Sequence, residues 1–97
     1  MAMRVEMTEI YREWIGGLKD RVARARVQVR VDRLLHGNPG QHRILTGGVR
    51  ELKIDFGPGY RVYYAERDGL LIVLLAGGDK SSQAKDIKTA IVLARHL

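Results

Sequence analysis

The stretch "ELKIDFGPGYRVYYAERDGLLIVLLA", residues 51–76, decides the fold, because apolar and polar residues alternate along most of it. Alternation with a period of two is typical of half-buried strands, so the segments on either side of "GPG" are predicted strands. "GPG" (57–59) and "RDG" (67–69) are turn signals. "LLIVLLA" (70–76) is apolar throughout, which is typical of a central strand covered on both faces. We therefore predict an antiparallel meander of three strands.

Two helices are predicted before this meander, after one short strand. In "MRVEM", residues 3–7, apolar and polar residues alternate, so this segment is a predicted strand that is expected to join an edge of the sheet. Thr8 and Asp20 stand where N-caps belong, at the start of a first helix and of a second helix over residues 21–36. Apolar residues recur with the helical period in both helices. The inward positions of the first helix are Ile10, Trp14 and Leu18, with Tyr11 and Ile15 alongside. Those of the second helix are Ala23, Val27, Val31 and Leu34, with Leu35 beside them.

A closing helix is predicted over the last stretch, residues 81–97. Its inward positions are Ala84, Ile87, Ile91 and Ala94. Residues 41–48 are predicted to form a loop. We therefore predict an α+β fold, in which a small twisted and mainly antiparallel sheet has an N-terminal helical hairpin and a C-terminal helix packed on it. We expect one domain over residues 1–97, with the helices on one face of the sheet.

The composition excludes several classes of protein. There is no cysteine, so disulfides and cysteine-based metal sites are ruled out. The longest apolar run is far too short to cross a bilayer, and no signal peptide is evident, so we expect a cytoplasmic protein. Seventeen Lys and Arg residues against eleven Asp and Glu residues give a net charge of +6. This excess favours an anionic partner, although the charge could also serve only to keep a small protein in solution.

Charged residues of the meander predict one polar patch. Tight pairing of the strands around "GPG" places Asp55 opposite Arg61 and Lys53 opposite Tyr63. The next strand returns toward the same turn, so that Lys80 and the start of the last helix come close to this patch. Three cations and a helix N-terminus would suit a phosphodiester. The alternatives are a plain ion pair between Asp55 and Arg61 and a solvated Lys53.

Three arginines form a row on the second helix. Arg26, Arg30 and Arg33 recur at helical spacing beside the apolar stripe. Such a row is either a solvated face or a docking surface for a partner. The histidines show no spacing of metal ligands, so no metal site is predicted.

Four segments in order carry a resemblance to a known family. They are "EWIGGLKD" (13–20), "RLLHGNPG" (33–40), "GPGYRVYY" (57–64) and "GGDKSSQ" (77–83). With them the chain resembles the RelE/ParE superfamily of bacterial toxins over nearly its whole length. The branch that it resembles most is the HigB-like group of addiction module killer proteins.

This resemblance implies a toxin of a type II toxin–antitoxin system. It implies a cognate antitoxin, usually encoded beside the toxin and often of the helix-turn-helix type, and ribosome-dependent cleavage of messenger RNA without metal or cofactor. In the implied mechanism Lys53 assists deprotonation of the RNA 2′-hydroxyl, Arg61 holds the phosphate, and Lys80 shares that role or protonates the leaving oxygen. The implied substrate contacts are Tyr63, Arg50 and Arg43.

Two further possibilities follow from the same resemblance. The ParE-like branch inhibits DNA gyrase and has no nuclease activity, and other members would only bind an antitoxin. Some relatives place a tyrosine or histidine near the start of the last helix, where this chain has Gln83, Lys85 and Asp86.

Overall fold

A computed structural model describes residues 3–97 of the chain. Its strands and helices are β1 (Arg4–Met7), α1 (Glu9–Gly17), α2 (Arg21–Leu35), β2 (His42–Ile44), β3 (Arg50–Ile54), β4 (Tyr60–Arg67), β5 (Leu71–Asp79) and α3 (Gln83–Arg95). A 3₁₀ turn, Lys80–Ser82, joins β5 to α3.

The strands form a single five-stranded sheet in the order β1-β5-β4-β3-β2. Strands β2 to β5 pair antiparallel, and β1 adds to the free edge of β5 in parallel. The predicted meander and the predicted edge position of the first strand are confirmed. The predicted α+β fold class is confirmed as well.

Helices cover both faces of the sheet, so the expectation of one covered face is wrong. On one face, the core includes Tyr11, Ala23, Val27 and Leu34 from the helices with Leu52, Ile54, Val62 and Leu74 from the strands. On the other, Ala90 and Ala94 of α3 pack with Tyr63, Ala65, Val73 and Leu75. The physical reason is that β4 and β5 carry apolar side chains on both sides, and each side must be removed from water.

The helix N-caps occur where the sequence predicts them. The Thr8 side chain accepts a hydrogen bond from the backbone N–H of Tyr11 at 3.1 Å and donates one to the Leu75 carbonyl at 2.6 Å. Asp20 caps α2 by accepting from the backbone N–H groups of Val22 and Ala23. The cap on α1 therefore also fixes that helix against β5.

Most of the predicted inward positions of α1 and α3 are confirmed. In α1, Trp14 and Leu18 pack against the core beside the buried Tyr11, and of the predicted positions only Ile10 is exposed, at 43%. In α3, Ala94 is buried and Ile87 and Ile91 pack against the core, whereas Ala84 is exposed and Ala90 is buried instead. The stripe of α2 is confirmed, since Ala23, Val27 and Leu34 are buried.

Residues 42–44 form a short edge strand where a loop was predicted. This strand pairs with β3, and the backbone N–H of Lys53 donates to the Gln41 carbonyl at 3.0 Å. It supplies partners for backbone groups of β3 that would otherwise form a free sheet edge. A run of three residues is too short for its alternation to be recognised in the sequence.

The β3–β4 hairpin is paired two residues away from the predicted register. Lys53 stands opposite Arg61, and Ile54 stands opposite Tyr60. The loop spans residues 55–59 instead of "GPG" alone, because the backbone N–H of Phe56 folds back onto the Ile54 carbonyl. A shift by an even number of residues keeps each side chain on its predicted face.

Strand β5 continues through Gly77 and Gly78, beyond its predicted end. A Cβ atom on Gly77 would overlap the Trp14 ring, and one on Gly78 would overlap the carboxylate of Asp86. The two glycines therefore let large side chains from both layers approach the backbone of β5 at its end. Asp79, the last residue of the strand, stands opposite Tyr60.

Candidate anion-binding site

A polar pocket of about 340 Å³ lies at the end of the sheet where the β3–β4 loop meets the 3₁₀ turn. Its lining consists of Gln41, Lys53, Asp55, Gly57, Pro58, Gly59, Arg61 and Lys80. We call it the anion pocket. It contains three cationic side chains and one carboxylate.

Arg61 is the buried cation of the anion pocket. The residue is 8% exposed, and its Nη1 donates to the carbonyls of Gly59 at 3.0 Å and Tyr60 at 3.1 Å. Within residues 3–97 its Nε has no hydrogen-bond partner, and no carboxylate lies within 4.0 Å of its guanidinium. Burying a charge without a counter-ion is costly, so this guanidinium is set to receive an anion.

Lys53 and Lys80 line the same pocket from two other elements. Lys53 is half-buried and stands directly opposite Arg61 across the β3–β4 ladder. Lys80 is exposed and follows β5, whose last residues pair with the start of β4. The structure thus brings together the three residues that the sequence predicted as catalytic. Asp55 also lines the pocket but makes no ion pair with Arg61 among the described residues.

The 3₁₀ turn fixes the backbone on which Lys80 stands. The Asp79 carboxylate accepts hydrogen bonds from the Ser81 N–H at 2.8 Å and from the Ser81 hydroxyl at 2.5 Å, and these bonds lower the pKa of Asp79. The Ser82 hydroxyl donates to Asp86 at 2.6 Å. Asp79 therefore caps the 3₁₀ turn, whereas α3 itself begins without a side-chain cap, and the predicted contribution of this helix N-terminus to the site remains a prediction.

Tyr63 lies away from the anion pocket. Its side chain is fully buried under α3, and among residues 3–97 its hydroxyl has no hydrogen-bond partner. Burial, followed by the nearby Glu51 carboxylate, raises the pKa of Tyr63. Tyr63 is thus not among the residues that line the anion pocket, and its substrate contact remains a prediction.

Arg43 and Arg50 are also outside the pocket lining. Arg43 lies on the edge strand β2, and its Nε is 2.7 Å from Oε1 of Glu51. Arg50 and Lys53 are three positions apart on β3, so their side chains lie on opposite faces of the sheet. The Nη1 of Arg50 is 3.2 Å from Oε2 of Glu66. Both arginines are therefore engaged in ion pairs, and their predicted substrate contacts remain predictions.

Glu51 is the main feature that the sequence did not reveal. It is fully buried, and its carboxylate accepts hydrogen bonds from Arg43 Nε at 2.7 Å and Gln83 Nε2 at 2.9 Å. Burial acts to raise the pKa of Glu51, but the hydrogen bonds from Arg43 and Gln83 outweigh it and lower the pKa. The alternation of β3 places Glu51 on the polar face, and only the position of α3 reveals its burial.

The predicted arginine row on α2 has different roles along its length. Arg30 donates to the carbonyls of Lys53 at 2.6 Å and of Pro39 and Gln41 at 2.9 Å each, and so fixes the backbone beside the anion pocket. Arg26 lies over the ring of Phe56, with its Cζ 4.8 Å from the ring centroid. The remaining arginine of the row is exposed.

Comparisons with known proteins define the fold and the family. No family model matches the chain. An uncharacterised protein of Haemophilus influenzae is 43% identical over 97 residues, which cover 100% of this chain and 98% of that protein. The chain therefore belongs to the same family as this Haemophilus protein.

A solved structure shares the fold at low sequence identity. It is that of the E. coli toxin RelE in the free state, as a mutant with two arginines replaced by alanine. The TM-score is 0.74 and the identity 21%, with 100% of both chains covered. The resemblance to RelE is thus confirmed for the fold. No helix within residues 3–97 is long and apolar enough to span a membrane.

Proposed function

We propose that this chain is the toxin of a type II toxin–antitoxin system, acting in the cytoplasm as a metal-independent endoribonuclease on ribosome-bound messenger RNA. The observation that carries the proposal is the buried guanidinium of Arg61, which has no carboxylate partner within residues 3–97 and lines a pocket together with Lys53 and Lys80. A solved structure with the same fold bears the name of a toxin, which supports the same assignment.

The proposed reaction is an intramolecular transesterification of RNA. The 2′-oxygen attacks the adjacent phosphorus, the bond from phosphorus to the 5′-oxygen breaks, and the products are a 2′,3′-cyclic phosphate and a 5′-hydroxyl end. Lys53 assists removal of the 2′-hydroxyl proton, and Lys80 donates a proton to the departing 5′-oxygen. Arg61 binds the phosphate and stabilises the charge that develops on it in the transition state.

The start of α3 supplies no further acid or base to this reaction. Gln83 donates to the buried Glu51, and the Asp86 carboxylate is held by the Ser82 hydroxyl. Neither of these residues lines the anion pocket, and neither does Lys85. Proton transfer therefore falls to the two lysines in this proposal.

Induced expression with mapping of messenger 5′ ends tests the proposal. We expect growth arrest together with new 5′-hydroxyl ends inside translated messages, and no such ends when translation initiation is blocked. Growth arrest with intact messages and inhibited DNA gyrase would instead assign the chain to the ParE-like activity. Normal growth at high expression would leave only the antitoxin-binding role.

The partner in this proposal is an antitoxin encoded beside the toxin. Its surface should be acidic where it meets this chain, because the net charge of +6 favours an anionic partner. Co-expression of the neighbouring reading frame should then restore growth and protect messages. Restored growth with continued cleavage would contradict this account.

A further inference from the structure

A second and larger cavity lies between α2 and the β3–β4 loop. It is a groove of about 570 Å³. Its lining consists of Val22, Ala25, Arg26, Val29, Arg30, Arg33, Gln41, Ile54, Asp55 and Phe56. We call it the helix groove, and it is separate from the reacting groups of the anion pocket.

The floor and wall of the helix groove are apolar. Val22 and Val29 lie on the same side of α2 and are 56% and 50% exposed. Phe56 and Ile54 contribute from the hairpin side. Two such valines on one helix, facing a cavity, form an apolar surface that no other element within residues 3–97 covers.

The rim of the helix groove is basic. Arg26 and Arg33 flank the valines, and together with Arg30 they give three cationic side chains against one carboxylate, that of Asp55. None of the three arginines has a carboxylate within 4.0 Å among the described residues. An apolar floor with an unneutralised basic rim is complementary to an acidic amphipathic segment.

We propose that the helix groove binds an amphipathic helix of a partner protein, with apolar side chains between the valines and Phe56 and with Asp or Glu side chains on Arg26 and Arg33. From Val22 to Arg33, α2 advances about 16 Å at ~1.5 Å per residue. A helix of roughly three turns can therefore lie along the groove, with anchors at i, i+3 or i+4, and i+7. The identification of this partner as the antitoxin rests on the proposed function; the groove itself does not.

The helix groove and the anion pocket share a wall. Gln41 and Asp55 line both cavities, and Arg30 donates to the carbonyls of Lys53 and Gln41 between them. A helix in the groove therefore lies beside the anion pocket. An acidic residue on the side that faces the shared wall neutralises the pocket cations and competes with an RNA phosphate, so groove occupancy inhibits the pocket.

A designed peptide tests this docking site directly. The probe is a fluorescein-labelled helical peptide of about four turns, with leucines at i, i+3 and i+7 and glutamates beside them. A second peptide carries lysine in place of each glutamate. By fluorescence anisotropy we expect the acidic peptide to bind and the basic one to fail. No binding of the acidic peptide at millimolar concentration overturns the proposal.

Matched variants localise the binding. Val29→Glu places a charge in the groove, and Val92→Glu places one on α3 at a valine that is also 50% exposed. Arg33→Glu and Arg95→Glu both replace an exposed arginine in the last turn of a helix. We expect the two groove variants to weaken binding at least about tenfold and the two α3 variants to leave it unchanged. Equal affinity across all four variants refutes the site.

Other occupants give different results. If Val29→Glu dissociates a dimer in sedimentation experiments, the groove holds a second copy of this chain. If an RNA oligonucleotide displaces the peptide, and Arg33→Glu weakens the binding of this RNA whereas Val29→Glu does not, the groove binds RNA. Either result overturns the proposal. If Arg61→Ala loses message cleavage but still binds the peptide, the docking site and the proposed nuclease activity are tested independently of each other.

Discussion

Arg61 is a buried charged side chain, and an apolar side chain at the same position would cost less free energy to bury. Two backbone carbonyls accept from its Nη1, yet its Nε has no partner among residues 3–97. Each hydrogen bond contributes about 0.5–1.5 kcal/mol, and the uncompensated burial of the charge opposes that gain. We infer that Arg61 contributes more to binding an anion than to stability.

Removal of one pocket cation should abolish activity and leave the fold intact. We expect Arg61→Ala and Lys80→Ala to reduce message cleavage roughly a hundredfold or more, because each removes a preorganised charge from the transition state. Melting temperatures should stay close to that of the wild type, measured by circular dichroism. The control is Lys88→Ala, which removes an exposed lysine of α3 outside the pocket.

The double variant sharpens this prediction. If Arg61 and Lys80 act on one phosphate, Arg61→Ala with Lys80→Ala should be little worse than the more severe single variant. Two single variants that fold and cleave at the wild-type rate would rule out the anion pocket as the active site.

Glu51 should make stability depend on pH. Its pKa is lowered in the folded protein, so its ionised form stabilises the fold above the ordinary glutamate range, and this contribution is lost as the pH falls below that range through the lowered pKa. Glu51→Gln should cost about 1–3 kcal/mol at neutral pH, because Arg43 loses its buried charged partner. The difference should narrow as the pH falls below the ordinary glutamate range, measured by urea unfolding.

The matched control for this prediction is Glu66→Gln. Glu66 also pairs with an arginine, but both side chains are partly exposed, so the pair contributes at most about 1 kcal/mol. A Glu51→Gln difference that stays constant over the same pH range would show that ionised Glu51 does not stabilise the fold.

At the scale of elements, the sequence predicted the strands and helices that have regular periodicity and caps. Thr8 and Asp20 mark the starts of α1 and α2 because capping is local chemistry. The hairpin register was displaced because it depends on how Gly57 and Gly59, both with positive φ, fold the five-residue loop. The sequence also could not show that α3 covers the sheet face that holds Tyr63.

For the candidate site, the predicted grouping of cationic residues is confirmed although the register of the β3–β4 hairpin differs by two residues from the prediction. Lys53 and Arg61 stay on one face under a two-residue shift, and the return of β5 brings Lys80 to them. Arg50 lies on the other face because of the alternation of β3, and its substrate contact, which rested on the resemblance, remains a prediction. The roles of the three pocket cations remain predictions.

The end of β5 should tolerate no side chain at Gly77. Gly77→Ala should destabilise the protein by about 1–3 kcal/mol through overpacking, because its Cβ overlaps the Trp14 ring. Gly16→Ala is the control, since nothing lies within 4 Å of a Cβ there and alanine favours the helix interior by about 0.5–1 kcal/mol. Chemical denaturation measures both, and a neutral Gly77→Ala would contradict the close packing of α1 on β5.

At the scale of the whole molecule, the two cavities join into one basic region. The anion pocket and the helix groove meet at Gln41 and Asp55, and together they contain six cationic side chains of a chain whose net charge is +6. Arg30 connects them through its bonds to the Lys53 and Gln41 carbonyls. A nucleic acid or an acidic protein therefore meets a continuous field on this side of the molecule.

RNA binding to this region should weaken steeply with salt. Neutralising phosphates releases counterions, so the logarithm of the binding constant falls with the logarithm of salt concentration at about −0.7 per phosphate contact for single strands. Arg61→Ala should reduce this slope by roughly 0.7, since it removes one such contact. Lys88→Ala should leave the slope unchanged, because Lys88 is outside both cavities. Anisotropy titrations of a short RNA at several salt concentrations measure the slope, and equal slopes for the wild type and Arg61→Ala would show that the pocket does not bind the RNA backbone.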